Sequence, residues 1–249
     1  TVLSSFSSIT IDFLFRISVV IDRGFELVEI TVGDEKVLAL KDLSDEKMSP
    51  LFVDFASGAL TYRRTHGFGR SQPLGRALGL KSGVDTLNVF DATAGLGTDS
   101  FMMAALGCSV RAVERSKTVF ALLDNGFQRL QKMARESGDA ELSMLVRRMS
   151  FSLGDAADIL NSLDEAQFPD VVYVDPMYPG ETHSSALPKK SMQIFRRFLE
   201  GDEDAEKIFR AAKRVSPRIV VKRPLKAEPL SGKPSRSIEG KTIRYDIYV

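Results

Sequence analysis

The chain has 249 residues, 43% of them hydrophobic and 27% charged, the composition of an ordinary soluble globular protein with one large domain or two unequal ones. A formal net charge of +1 and a pI of about 7.7 give no global bias toward a polyanionic partner, so only local charge patterning bears on ligands. The single cysteine, Cys108, excludes an internal disulfide and fits a reducing compartment. One thiol with two histidines argues against a structural zinc site, so the expectation is a cytoplasmic protein without metal.

The N-terminal stretch TVLSSFSSITIDFLFRISVVID is apolar but has no basic start, and Asp12 and Arg16 interrupt it. It is too short and too charged to span a bilayer, and no membrane partner is expected; strands at a domain edge are the better reading. Up to about Leu80, short β-branched and aromatic runs (Phe13 to Ile21, Phe25 to Val32, Val37 to Leu40, Leu51 to Phe55) are separated by turn chemistry: DRG, VGDE and SDEKMSP. This predicts a small α+β domain over residues 1–80. From about Asp85 the pattern changes to apolar strands alternating with helices. TLNVFDA precedes a helix from Asp99 to Leu106, and CSVRAVE precedes one from Lys117 to Glu136. MSFSLGD and PDVVYVDP follow, then helices from Ser191 to Leu199 and up to Val215, then RIVVKRP and TIRYDIYV. Strand and helix in repetition predict an α/β fold with a mostly parallel sheet over residues 81–249, in which ligands bind beyond the carboxyl ends of the strands. The segment from Lys226 to Gly240 reads as a mobile loop before the last strand.

Three motifs fall at that edge. In VFDATAGLGTDSF, Gly95 and Gly97 follow a strand and precede a helix, so backbone can approach a ligand with no Cβ between them. A dinucleotide fingerprint wants a third glycine where Ser100 stands and has no use for Asp91. An S-adenosylmethionine (SAM) site explains both, because its ligand carries a cationic amino group and no phosphates. The bland alternative is a tight turn only. Glu114 ends the next strand, where an acid accepts from both hydroxyls of a ribose; an acid there is otherwise merely solvated. Asp155, with the backbone N–H of Ala156, either reads an adenine or caps the following helix. In VVYVDPMYPG, Asp175 and the carbonyl of Pro176 present acceptors to an exocyclic amine, and the ring of Tyr178 stacks on its base. The alternative is that Tyr178 and the prolines only terminate a strand.

FVDFASGALTYRRTHGFGR, DATAGLGTDSF, VERS, VVYVDPMYP, ALPKKSMQIFRR, VVKRP and YDIYV together resemble the RsmJ (YhiQ) family, the SAM-dependent guanine-N2 methyltransferases of small-subunit ribosomal RNA. The resemblance runs from about Leu51 to the C terminus. It implies a Rossmann-like class I SAM-dependent methyltransferase core with a small N-terminal domain, S-adenosylhomocysteine as product, and methylation of one guanine near the 3′ end of 16S rRNA, alone or in the small ribosomal subunit. Carried over, the cofactor-binding positions are Thr98 and Asp99, Glu114 and Arg115, Asp155 and Ala156, and Asp175, beside Asp91, Gly95 and Gly97 from the motif itself. Thr98 stands where the best-known members have arginine, and Met177 replaces the second proline of the wider amino-methyltransferase pattern.

Local charge supports an RNA partner. Residues 56–84 carry Arg63, Arg64, Arg70, Arg76 and Lys81 with no acid. Residues 211–227 carry Lys213, Arg214, Arg218, Lys222, Arg223 and Lys226, again with no acid. Lys189 and Lys190 follow the Asp175 loop, where phosphates beside a flipped base would lie, and His66 reads as a loop residue near phosphate. Any one such cluster can also be a solvated face. Two other readings stay open: the same chemistry on DNA adenine or a protein amide, and a non-catalytic RNA-binding protein.

Overall fold

The computed structural model describes residues 19–21, 24–45, 47–56, 69, 71–80, 86–176, 190–198 and 204–249. Arg63, Arg64, His66, Arg70, Tyr178 and Lys189 lie outside the described residues, and Lys190 is described only as the start of a helix.

Near the N terminus, β1 (Val19–Ile21), β2 (Phe25–Val32) and β3 (Glu35–Asp42) form an antiparallel three-stranded sheet in the order β1-β2-β3. The run from Leu51 to Phe55 alternates as a strand would, with Leu51, Val53 and Phe55 buried. It makes only one bridge, from Leu51 to Leu40. A short helix, Pro73–Leu78, opens on a proline and ends at Gly79, whose φ of 86° suits a glycine cap.

The main sheet has seven strands in the order β6-β5-β4-β7-β8-β10-β9. β4 (Asn88–Asp91), β5 (Ser109–Glu114), β6 (Met149–Leu153), β7 (Val171–Val174) and β8 (Ile219–Pro224) run parallel, whereas β10 (Ile243–Tyr248) pairs antiparallel with β8 and with β9 (Arg236–Glu239). β9 lies inside the stretch expected to be a loop; it is a short edge strand that buries one side chain, Ile238. β7 is buried at every position, because helices cover both faces of the sheet. On one face Val89, Val171, Tyr173 and Val220 pack with the helices Thr98–Ala105, Lys117–Ser137 and Ala140–Arg147. On the other, Phe90, Val172, Val174 and Val221 pack with Ala156–Asn161 and Ala205–Val215.

The small sheet rests on Lys117–Ser137, whose Val119, Leu122, Leu123, Phe127 and Leu130 recur at helical spacing. Gly126 makes the close approach possible: a Cβ there would lie 2.5 Å from Val53. The side-chain carbonyl of Asn125 accepts from the Leu38 N–H at 3.1 Å, and the hydrophobic cluster on this face of the main sheet continues to Phe25, Leu27 and Leu40 of the small sheet. From the other side the helix Lys190–Phe198 is tied to the small sheet by the edge contact of Phe198 with Phe25 and the ion pair of Arg197 with buried Asp42.

Candidate active site

Strand order reverses between β4 and its two neighbours β5 and β7, which opens a crevice at their carboxyl ends. The loop after β4 enters it. Gly95 (φ 53°) lines the pocket and donates its N–H to the Glu114 carboxylate at 2.9 Å; a Cβ on it would touch Phe195 at 3.4 Å. Gly97 (φ 75°) has a different duty. It starts the helix Thr98–Ala105, and a Cβ there would meet Leu123 at 2.6 Å and Phe55 at 2.7 Å, so the core requires this glycine.

Asp91 does not line the pocket as expected; it lies underneath the loop, 1% exposed. Its carboxylate accepts from the Ser100 hydroxyl at 2.5 Å and from the Thr93 N–H at 3.1 Å, which fixes the loop from below. Burial raises its pKa to about 7, with the charges of Asp99 and Asp175 adding to the rise and the two hydrogen bonds opposing it.

Glu114 is at the pocket wall, held by the N–H groups of Gly95 and, at 2.8 Å, Ser116. Arg115 lines the same wall and pairs with Asp204. Asp155 is the cap of the helix Ala156–Asn161, accepting from the Asp158 N–H at 3.0 Å and pairing with Lys207 at 3.2 Å; both it and Ala156 still border the pocket. Thr98 opens the helix on the exposed side of the pocket.

Asp175 leaves β7 into this crevice. Its backbone N–H donates to the Thr93 hydroxyl at 2.7 Å, locking the end of β7 to the glycine loop. Its carboxylate accepts from Lys222 Nζ at 2.8 Å, and the same ammonium donates to Asp99 at 2.7 Å. Asp99 also accepts from the hydroxyl of Tyr173 at 2.8 Å. Burial draws the Lys222 ammonium toward neutrality, but Asp175 and Asp99 outweigh it and hold the lysine charged, above its ordinary range. Burial, and then the same carboxylates, push the Tyr173 hydroxyl well up, so it stays a donor. Burial likewise raises that of Tyr245, opposite Lys222 across β8 and β10, to about 12. Two carboxylates against one ammonium leave this wall net negative.

Two residues expected to meet RNA are elsewhere. Lys222 is part of the pocket wall, bound to both carboxylates. Arg223 is 2% exposed, and its guanidinium donates to the Glu228 carbonyl, so it is packed inside and not offered to a phosphate. The period of two along β8 contained the signal: Lys222 shares a face with Val220, the face of Tyr173, while Arg223 takes the opposite one. Phe195, from the helix of the ALPKKSMQIFRR segment, and Asp204 and Ile208, from a helix that carried no motif, also line the pocket. Among the described residues no cluster of His, Cys, Asp and Glu is arranged to hold a metal, and no helix is long and apolar enough to cross a membrane.

The SAM_MT family model, described as "Putative SAM-dependent methyltransferase", matches residues 21–249. The ribosomal RNA small subunit methyltransferase J of Thioalkalivibrio sulfidiphilus is 46% identical over 228 residues, 91% of this chain and 86% of the relative. That of Nitrosococcus oceani is 46% identical over 203 residues, 81% of this chain and 77% of the relative. The crystal structure of the SAM-dependent methyltransferase NGO1261 from Neisseria gonorrhoeae superposes with a TM-score of 0.68 at 32% identity, covering 94% of this chain and 86% of that one. Identity at this level over nine-tenths of the sequence agrees with the Rossmann-like sheet and the pocket at its switch point: the chain belongs to the ribosomal RNA small subunit methyltransferase J family of SAM-dependent methyltransferases.

Proposed function

We propose that the protein methylates the exocyclic N2 of a guanine near the 3′ end of 16S ribosomal RNA, using SAM. The observation that carries this is the Asp175 carboxylate, fixed by Lys222 at the end of β7 in the same pocket as Gly95 and Glu114. The pocket suits the cofactor. Its wall is net negative, which complements a sulfonium and an ammonium, Gly95 lets backbone approach, and Glu114 is oriented at the strand end where a ribose diol would lie. Bound there, SAM supplies a methyl group on a positively charged sulfur.

Asp175 then accepts a hydrogen from the guanine amine, and the carbonyl of Pro176 accepts the second, so that the nitrogen lone pair is directed at the methyl carbon. Lys222 donates to the Asp175 carboxylate at 2.8 Å and holds it in one orientation. A strong general base is unnecessary, since the amine becomes acidic only once alkylated and its proton then passes to Asp175 or to water. To test the substrate class, purified protein is given labelled SAM with small-subunit RNA, duplex DNA or a protein fraction. Label in RNA alone supports the reading; label only in DNA or protein removes it.

A further inference from the structure

A second cavity, of about 410 Å³, lies at the opposite, amino-terminal edge of the main sheet. It is bordered by the first residues of β4, β5 and β6 (Asn88, Ser109 and Met149) and by three arginines, Arg111, Arg147 and Arg148, with no acid among its lining residues. The neighbouring carboxylate of Asp170 is turned to the Asn88 N–H at 2.7 Å. At about 3.3 Å per residue along β5, Glu114 lies roughly 16 Å from Ser109 at the cavity rim and about 10 Å from Arg111, and no residue lines both this cavity and the cofactor pocket.

Arg147 and Arg148 end a helix, where positive charge is favourable in itself. That does not account for Arg111, which projects from the middle of β5. Its guanidinium sits over the Phe90 ring at 5.2 Å and makes one long bond, 3.4 Å, to the Gln167 carbonyl. An arginine has five N–H donors in a planar fork suited to phosphate. Among the described residues none of the three arginines has a carboxylate partner. Half-burying such a cation on a strand is costly, and burial indeed draws the Arg111 pKa down. An anion seated in the cavity would offset that cost.

We infer that the Arg111, Arg147 and Arg148 cavity binds a backbone phosphate of the RNA substrate, far from the methylated base. This rests on the RNA reading above. It gives the protein a second grip on a structured RNA whose helices extend well beyond the separation of the two sites, one that fixes register and orientation without reading sequence.

The experiment compares the full-length protein with Arg147→Gln/Arg148→Gln, and separately with Arg111→Met, in RNA binding across a salt series. A control, Lys36→Gln/Lys41→Gln, removes equal charge from the small sheet. Removing one arginine–phosphate interaction should lower the slope of log affinity against log salt by about 0.7–0.9. Because a single phosphate is bound, the double variant and Arg111→Met should each lower the slope by up to that amount and bind small-subunit RNA roughly five- to tenfold more weakly at 0.1 M salt, with SAM affinity and kcat at saturating RNA unchanged. An unchanged slope, or an equal drop in the control, overturns the inference while wild-type methylation of RNA leaves the function standing. A wild-type protein that neither binds nor methylates RNA overturns both. Arginine-dependent binding of inorganic phosphate with an unchanged RNA slope would assign the cavity to a free anion and also overturn it.

Discussion

Replacing Lys222 by methionine keeps the length and apolar stem of the side chain and removes the ammonium that holds Asp99 and Asp175 together. Its contacts of 2.7 and 2.8 Å put the two carboxylate oxygens no more than about 5.5 Å apart. Two unit charges at that separation repel by about 3 kcal/mol at an effective dielectric constant near 20. With about a third of Asp175 exposed, solvent screening reduces this, and we take 1.5–3 kcal/mol, or about one to two pKa units for the pair. Without the ammonium the repulsion favours uptake of one proton by the pair. Single-turnover methyl transfer at saturating RNA and SAM, followed from pH 5 to 9, should show for Lys222→Met a rate that climbs about two- to tenfold between pH 5 and 7.5. The plateau should be a further ~10–100-fold below wild type, for loss of the charged bond that orients Asp175. Lys222→Arg retains the charge and should keep the wild-type shape of the profile. Parallel profiles for the wild-type and methionine proteins would refute the assignment of Lys222 as a positioning residue.

Three further outcomes follow from the fold. Gly97→Ala places a methyl group 2.6 Å from Leu123 in a backbone with φ of 75°, and should cost about 3 kcal/mol in urea unfolding from left-handed strain and overpacking together. Asp91 has a folded pKa raised to about 7 against about 3.8 unfolded, so the folded state binds more protons between these values. Stability should fall as pH rises from about 4 to 7, by up to about 4 kcal/mol, and that slope should vanish in Asp91→Asn. Arg244 is bound to Asp246, which is 0% exposed, and donates to the carbonyls of Pro224, Leu225 and Ala227. Arg244→Met should therefore destabilise by about 3–5 kcal/mol, with at least half recovered in Arg244→Met/Asp246→Asn when the three proteins are compared by thermal unfolding.

The elements with long, consistent patterns were legible in the sequence: the wholly apolar β7, the helix Lys117–Ser137 with its helical spacing of core residues, and the alternation that gives a parallel sheet. Helices Pro73–Leu78 and Ala140–Arg147 escaped, being only about two turns or fewer, too short for a period to establish itself, whereas Ala156–Asn161 was signalled only by its cap, Asp155. β9 escaped because one buried Ile238 among polar residues does not mark a strand. In the site, the placement of Gly95, Glu114 and Asp175 at the pocket could be read because local geometry, a strand end followed by a loop, dictates where they go. The depth of Asp91 could not, since nothing nearby shows that Ser100 will close over it. Lys222 lies 123 residues from Asp99, and only the order of strands in the sheet brings them together. Basic composition alone drew both Lys222 and Arg223 toward RNA, and the tertiary fold reassigned them.

The most direct test of the central claim is nucleoside analysis after methyl transfer. Small-subunit RNA and assembled small subunits from cells lacking this protein are incubated with it and labelled SAM, then digested to nucleosides and separated. The account predicts N2-methylguanosine as the labelled product, formed by the wild-type protein and lost in Asp175→Asn while SAM still binds. Label in a methylated adenosine, or none in either substrate from a protein that binds SAM, would contradict it.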